Sequence, residues 1–146
     1  MSLATSFATA LLQHILQNAA LPNVGDTAGL QPSATVGNLY LALHTATPGA
    51  GGSQTTNEAA YTGYARVPIV RSAAGWSVSG DAYSNVAALN FPACTGGTET
   101  ETYFSIGTAA TGAGEILLFG ALTSSLAVSA GITPSVAAGA LNGTAT

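Results

Sequence analysis

Apolar and polar residues alternate with period two from Asn38 to His44, where Leu39, Leu41 and Leu43 point one way and Tyr40, Ala42 and His44 the other. That alternation predicts a strand, and the Pro48-Gly49 pair ends it by removing a ladder donor and favouring a turn. A different period precedes it. Leu3, Phe7, Leu11 and Ile15 recur every four residues with Ala8, Leu12 and Leu16 beside them, so the spacing predicts an amphipathic helix over residues 3–17. Ser2 is the expected N-cap, and Asn18 with Pro22 stops the helix. Its stripe either covers an open end of a sheet or docks on a partner subunit.

Residues 19–36 carry Pro22, Gly25, Gly29 and Pro32 without periodicity and read as a loop. A second loop, Pro48 to Glu58, is rich in Gly, Ser and Thr and shows no local means of ordering itself. Strands are expected over residues 64–71, 76–79, 86–91, 98–107, 115–122, 126–128 and 136–144. Pro68 removes a donor, so the first of these lies at a sheet edge or carries a bulge. In the strand at 98–107, Thr100, Thr102, Phe104 and Ile106 share one face, while Glu99, Glu101, Tyr103 and Ser105 share the other. Short strands separated by turns every ten residues or so predict a mainly β fold, an antiparallel β-sandwich or jelly-roll-like domain with one N-terminal helix. One domain over residues 1–146 is expected, with the β-sandwich at 38–144.

Charge changes the picture more than composition does. Only 5% of residues are charged, lysine is absent, Arg66 and Arg71 are the only basic side chains apart from two histidines, and the net charge is −4. Such a chain cannot neutralise a phosphate backbone or hold an anionic bilayer surface, so neither nucleic acid nor membrane is an expected partner. No run approaches the ~18 consecutive apolar residues of a spanning helix. Cys94 is the only cysteine, which rules out an internal disulfide. A surface this poor in charge suits a subunit packed against neighbours, because interface cores are depleted in charged residues.

Candidate chemistry is thin. A nucleophilic triad would draw on His14 or His44 with Asp26 or Asp81, yet the chain has no nucleophile elbow. His44 reads as an outward or interfacial polar residue. Glu99 and Glu101 have a spacing compatible with paired carboxylates or a cation site, but no motif supports either and they read as a solvated strand face. There is no zinc cluster, Cys94 reads as a packed small side chain, and Gly49 to Gly52 is not a phosphate cradle. No catalytic, cofactor or metal residues are therefore expected. Arg66 and Arg71 are either solvated edge charges or partners of Glu58, Asp81 or a neighbouring subunit.

Several stretches, in order, resemble a known family: Phe7-Ala-Thr-Ala-Leu-Leu-Gln-His-Ile, Leu39-Tyr-Leu-Ala-Leu-His-Thr-Ala-Thr-Pro-Gly, Tyr61-Thr-Gly-Tyr-Ala-Arg, Asn90-Phe-Pro-Ala, Phe104-Ser-Ile-Gly-Thr-Ala and Gly120-Ala-Leu-Thr-Ser-Ser-Leu-Ala-Val. They are similar to small virion proteins of tailed bacteriophages, often labelled tail fibre or virion structural protein. The first-strand motif there carries an acidic residue before its proline, where this chain has Thr47. The resemblance implies a β-rich structural subunit without enzymatic activity. The expected role is a capsid decoration protein on the outer head surface, bound to the major capsid protein and to copies of itself, with a tail fibre or tail-associated receptor-binding role as the alternative. The expected interface comprises Phe7, Leu11 and Ile15, the loop Gly51, Gly52, Ser53, Gln54, Thr55, Thr56, Asn57 and Glu58, and Tyr61, Tyr64, Arg66 and Arg71.

Overall fold

The computed structural model describes residues 1–145. The fold is mainly β, as the alternating pattern predicted. One helix, α1 (Thr5–Gln17), is followed by β1 (Asn38–His44), β2 (Val67–Val70), β3 (Trp76–Ser79), β4 (Ala82–Asn85), β5 (Leu89–Asn90), β6 (Thr98–Gly107), β7 (Ile116–Ser129), β8 (Ser135–Val136) and β9 (Asn142–Thr144). They form a four-stranded sheet in the order β2-β1-β6-β7, a three-stranded sheet β3-β4-β9 and a two-stranded sheet β5-β8. The backbone groups into two compact units, one made of residues 1–38, 70–88 and 136–145 and the other of residues 39–69 and 89–135.

In the first unit α1 packs on β3 and buries Ala8, Leu12 and Leu16. These residues recur every four positions, so they form one line along the helix. In the neighbouring line of the same stripe Phe7 is 40% exposed, while Leu11 and Ile15 are half-buried. The N-terminus also differs from expectation. Ala4, not Ser2, is the cap residue, and no side chain bonds there, so nothing holds residues 3 and 4 in helical geometry. At the other end Asn18 turns left-handed (φ 54°), letting the amide of Ala19 reach the carbonyl of Gln13 at 3.1 Å. The Asn18 side chain also exchanges two hydrogen bonds with the backbone of Ser33, at 2.9 and 2.8 Å, tying the loop to the helix end.

The sheet of this unit is built on an unexpected hairpin. β3 pairs antiparallel with β4 across the two-residue turn Gly80-Asp81, where Gly80 takes φ +62°. Trp76 is fully buried and meets Tyr83 edge-on at 6.2 Å. Asn85, also buried, closes the unit by donating to the carbonyls of Ala87 and Ala137 and accepting from the amide of Leu141.

The second unit holds the large sheet. β1 and β6 pair antiparallel with Leu41 opposite Ile106 and Leu43 opposite Phe104. Leu41, Leu43 and Ile106 are buried on one face, and Ile69, Phe91 and Val128 are buried elsewhere in this unit. β6 continues into β7 in a long antiparallel pair, and β7 runs unbroken where two strands were expected. Cys94 is buried, with its thiol against the carbonyl of Gly96 at 3.2 Å.

Candidate interaction surface

The expected loop, strand and arginine residues of the second unit converge on one structure. Its centre is the ion pair of Arg66 with Glu58, a fork in which Nε and Nη2 donate to the two carboxylate oxygens at 2.6 and 2.8 Å. Arg66 is only 8% exposed, so the solvated-edge reading of this residue is corrected in favour of the pairing with Glu58. Pro68 interrupts β2 just after it, and the guanidinium reaches inward, where three partners take four of its five N–H donors. Nη1 donates to the carbonyl of Ala109 at 2.9 Å and Nη2 to that of Gly112 at 2.7 Å. The β1–β2 and β6–β7 connections are thereby cross-linked through one side chain. The bond to Glu58 raises the pKa of Arg66 above its already high ordinary value.

Tyr64 extends the network. Its hydroxyl donates to Glu58 at 3.0 Å and accepts from the amide of Leu43 at 3.2 Å, so it joins the ion pair to β1. Burial and the Glu58 charge both raise its pKa. Its ring stacks on Phe91 at 6.1 Å and meets Tyr61 edge-on at 5.3 Å. Tyr61 donates to the carbonyl of Pro92, and burial pushes its pKa up to about 12. Both tyrosines are thus engaged in packing.

The loop Gly51 to Glu58 is ordered, contrary to its composition. Gln54 is fully buried, accepts from the amide of Ala109 at 3.0 Å and donates to the carbonyl of Tyr40 at 3.3 Å. It fits there because Gly107 and Gly114 lack side chains; a Cβ on either would collide with Gln54. The amides of Ser53 and Thr56 bond within the turn, and Asn57, left-handed at φ 53°, donates to the carbonyl of Thr47 at 2.9 Å. Gly51, Thr55 and Asn57 remain exposed, while Gly52, Ser53, Thr56 and Glu58 are half-buried. The surface that this loop offers is therefore small, neutral and rigid.

Beneath the loop lies a pair that the sequence did not bring together. His44 is fully buried, not outward. Its Nδ1 lies 2.9 Å from the carbonyl of Thr56 and its Nε2 lies 2.7 Å from Oγ of Ser105. A carbonyl only accepts, so Nδ1 carries the proton and Nε2 accepts from the serine. Burial is the main cause that lowers the His44 pKa, which keeps the ring neutral. The arrangement has the connectivity of a nucleophile and its base, but Ser105 is fully buried too and the third member is a main-chain carbonyl. No substrate carbonyl could reach that hydroxyl, and the pair serves as a polar pin through the sheet.

The two carboxylates on β6 also depart from a solvated face. Glu99 accepts from the amides of Ala60 and Tyr61 at 2.9 and 2.8 Å. Glu101 is fully buried, and among the described residues neither of its oxygens meets a hydrogen-bond donor. Burial first, and then the neighbouring Glu99 carboxylate, raise its pKa to about 8, so it is mostly protonated at neutral pH.

Arg71 belongs to the first unit and differs from both readings of it. It donates to the carbonyls of Ile15 and His14, each at 2.8 Å, and so caps α1 where the helix dipole favours a cation. Phe7, Leu11 and Ile15 form a second apolar line on that helix, exposed at Phe7 and half-buried at Leu11 and Ile15.

A family model described as podophage GP4 fiber I protein gp80 matches residues 2–144. The chain belongs to this family and is a bacteriophage virion structural protein, as the resemblance of its motifs implied. None of the curated proteins matches it.

Proposed function

We propose that this member of the podophage fiber family is a non-catalytic subunit of the tail, working as a fibre component or as an adaptor that seats one. The observation that carries this reading is the family match across residues 2–144, whose description is that of a fiber protein. That description favours the tail over the outer capsid surface, which the sequence had suggested as the more natural seat.

The geometry supports a structural role. Both arginines are engaged inside the fold, the one histidine–serine pair is sealed, and the exposed part of the Gly51 to Glu58 loop carries no charge. A rigid, neutral surface suits permanent contact, since it loses little conformational entropy on docking. The apolar line Phe7, Leu11 and Ile15 and the Gly51 to Glu58 loop are the proposed contact surfaces, with a structural protein of the virion or another copy as partner.

Copy number tests the location. Densitometry of purified virions should give a few dozen copies per particle at most, and labelled antibody should decorate the tail. Hundreds of copies spread over the head would replace this reading with capsid decoration.

A further inference from the structure

The four-stranded sheet has two edges of different character. At one edge β2 is four residues long and interrupted by Pro68, whose missing N–H prevents continuous pairing. At the other edge β7 has fourteen residues, Ile116 to Ser129, with no charged residue and no proline among them. Natural sheets blunt such edges with lysine, proline or short length, and the remaining edge strands here are short, with four residues in β3 and three in β9. β7 alone has the length and composition of an edge that is meant to be covered.

Its first stretch, Ile116 to Ala121, is the part open to pairing. β6 uses one side of it, and among the described residues no other backbone hydrogen bond reaches it. Phe119 is 41% exposed there and Ala121 is exposed beside it. Beyond Ala121 the register steps, since Tyr103 faces Ala121 while Glu101 faces Leu126, and the extra residues Leu122 to Ser125 bow the strand out of line. The bow limits the partner to the Ile116 to Ala121 side.

We propose that this edge pairs antiparallel with the same edge of a second copy, forming a closed two-fold dimer. Main-chain donors and acceptors in a row recognise an extended strand. With the opposite edge blocked by Pro68, the long edge cannot propagate head to tail, and the one self-pairing left is β7 on β7, which closes at two. Charge allows it: the chain carries −4 overall, so most surfaces of two copies repel, whereas β7 brings none of that charge to the contact. Six residues at ~3.4 Å span about 20 Å, well under a standard interface, so the dimer is weak in dilute solution and is reinforced by the high local concentration within a virion. This pairing does not depend on where in the particle the protein sits.

Sedimentation of the full chain from 10 μM to 1 mM tests it, together with backbone hydrogen exchange. The expected result is a monomer–dimer equilibrium in which the amides of residues 116–121 gain at least tenfold protection as dimer forms. Phe119→Lys and Ala121→Lys should each weaken association at least tenfold, while Val70→Lys, at the exposed end of β2, should leave it unchanged. Should either lysine variant misfold, the exchange pattern of the unaltered chain decides. A monomer at 1 mM, a trimer, or a dimer whose protected amides lie elsewhere overturns the proposal.

Discussion

His44 and Ser105 are joined by a 2.7 Å hydrogen bond across adjacent strands, both fully shielded from solvent and 61 residues apart in the chain. The same two residue types, open to a cleft, would be half of a hydrolase. Here a sheet and a loop close over them, and the pair holds the Gly51 to Glu58 loop down through the carbonyl of Thr56. An active-site serine probe of the fluorophosphonate type should therefore leave the native protein unlabelled. Ser105→Ala should lower stability by about 1–3 kcal/mol, because His44 Nε2 then lacks its donor. Labelling at Ser105 in the folded state would contradict the sealed arrangement.

The Arg66–Glu58 fork should matter far more than a surface ion pair. Removing one partner of a buried pair strands the other, and Arg66→Ala also frees the carbonyls of Ala109 and Gly112. A loss of about 3–5 kcal/mol in urea unfolding is expected. Arg66→Lys should recover only part of it, since an ammonium cannot reproduce the two-pronged contact.

Glu101 makes stability fall as pH rises from the acidic into the mildly alkaline range. Its ordinary pKa is 4.5 and its folded value about 8, so the folded protein binds the proton more tightly than the unfolded chain. The contribution is complete below pH 4.5 and declines as pH rises through the window to about 8, with a slope of at most about 1.4 kcal/mol per unit. Glu101→Gln, neutral at every pH, should flatten this decline and leave the variant more stable than the parent above pH 8. Thermal melts at pH 6 and pH 9 would show it, and equal slopes for both proteins would assign the dependence to another group.

On the helix the two apolar lines should separate cleanly. Leu16→Ala empties a buried site and is expected to cost about 2–5 kcal/mol. Phe7→Ser, at a position 40% exposed, should change stability by less than about 1 kcal/mol while lowering incorporation into virions. Normal incorporation of a stable Phe7→Ser protein would remove this line from the contact surface.

Gln54 tests whether the loop is held from within. Gln54→Ala should speed backbone exchange across residues 51–58 and cost about 1–3 kcal/mol, because the amide of Ala109 loses its acceptor. Gly107→Ala should act similarly by pushing Gln54 out of place.

The elements legible in the sequence are those fixed by local pattern. β1 and β6 fall where alternation placed them, and α1 ends at Gln17 as Asn18 indicated. What stayed hidden depends on distant partners. β4 is Ala-Tyr-Ser-Asn, weak in strand formers, and exists because Gly80 turns it back on β3. The Gly51 to Glu58 loop looked unstructured because its anchor, Gln54, sits among glycines of β6 and the following turn that no local pattern connects to it. Polar residues on an alternating strand ordinarily read as solvated, so Glu101 and His44 looked exposed. The one available hint was the small Ala42 and Ser105 on the same face, which leave room for a covering layer.

Both arginines being tied down by hydrogen bonds has a practical outcome. Trypsin cuts after lysine or arginine, and this chain gives it just Arg66 and Arg71, one paired in the interior and one fastened to the end of a helix. The native subunit should resist the enzyme entirely, and cleavage at either position becomes a gauge of local opening, one gauge for each compact unit.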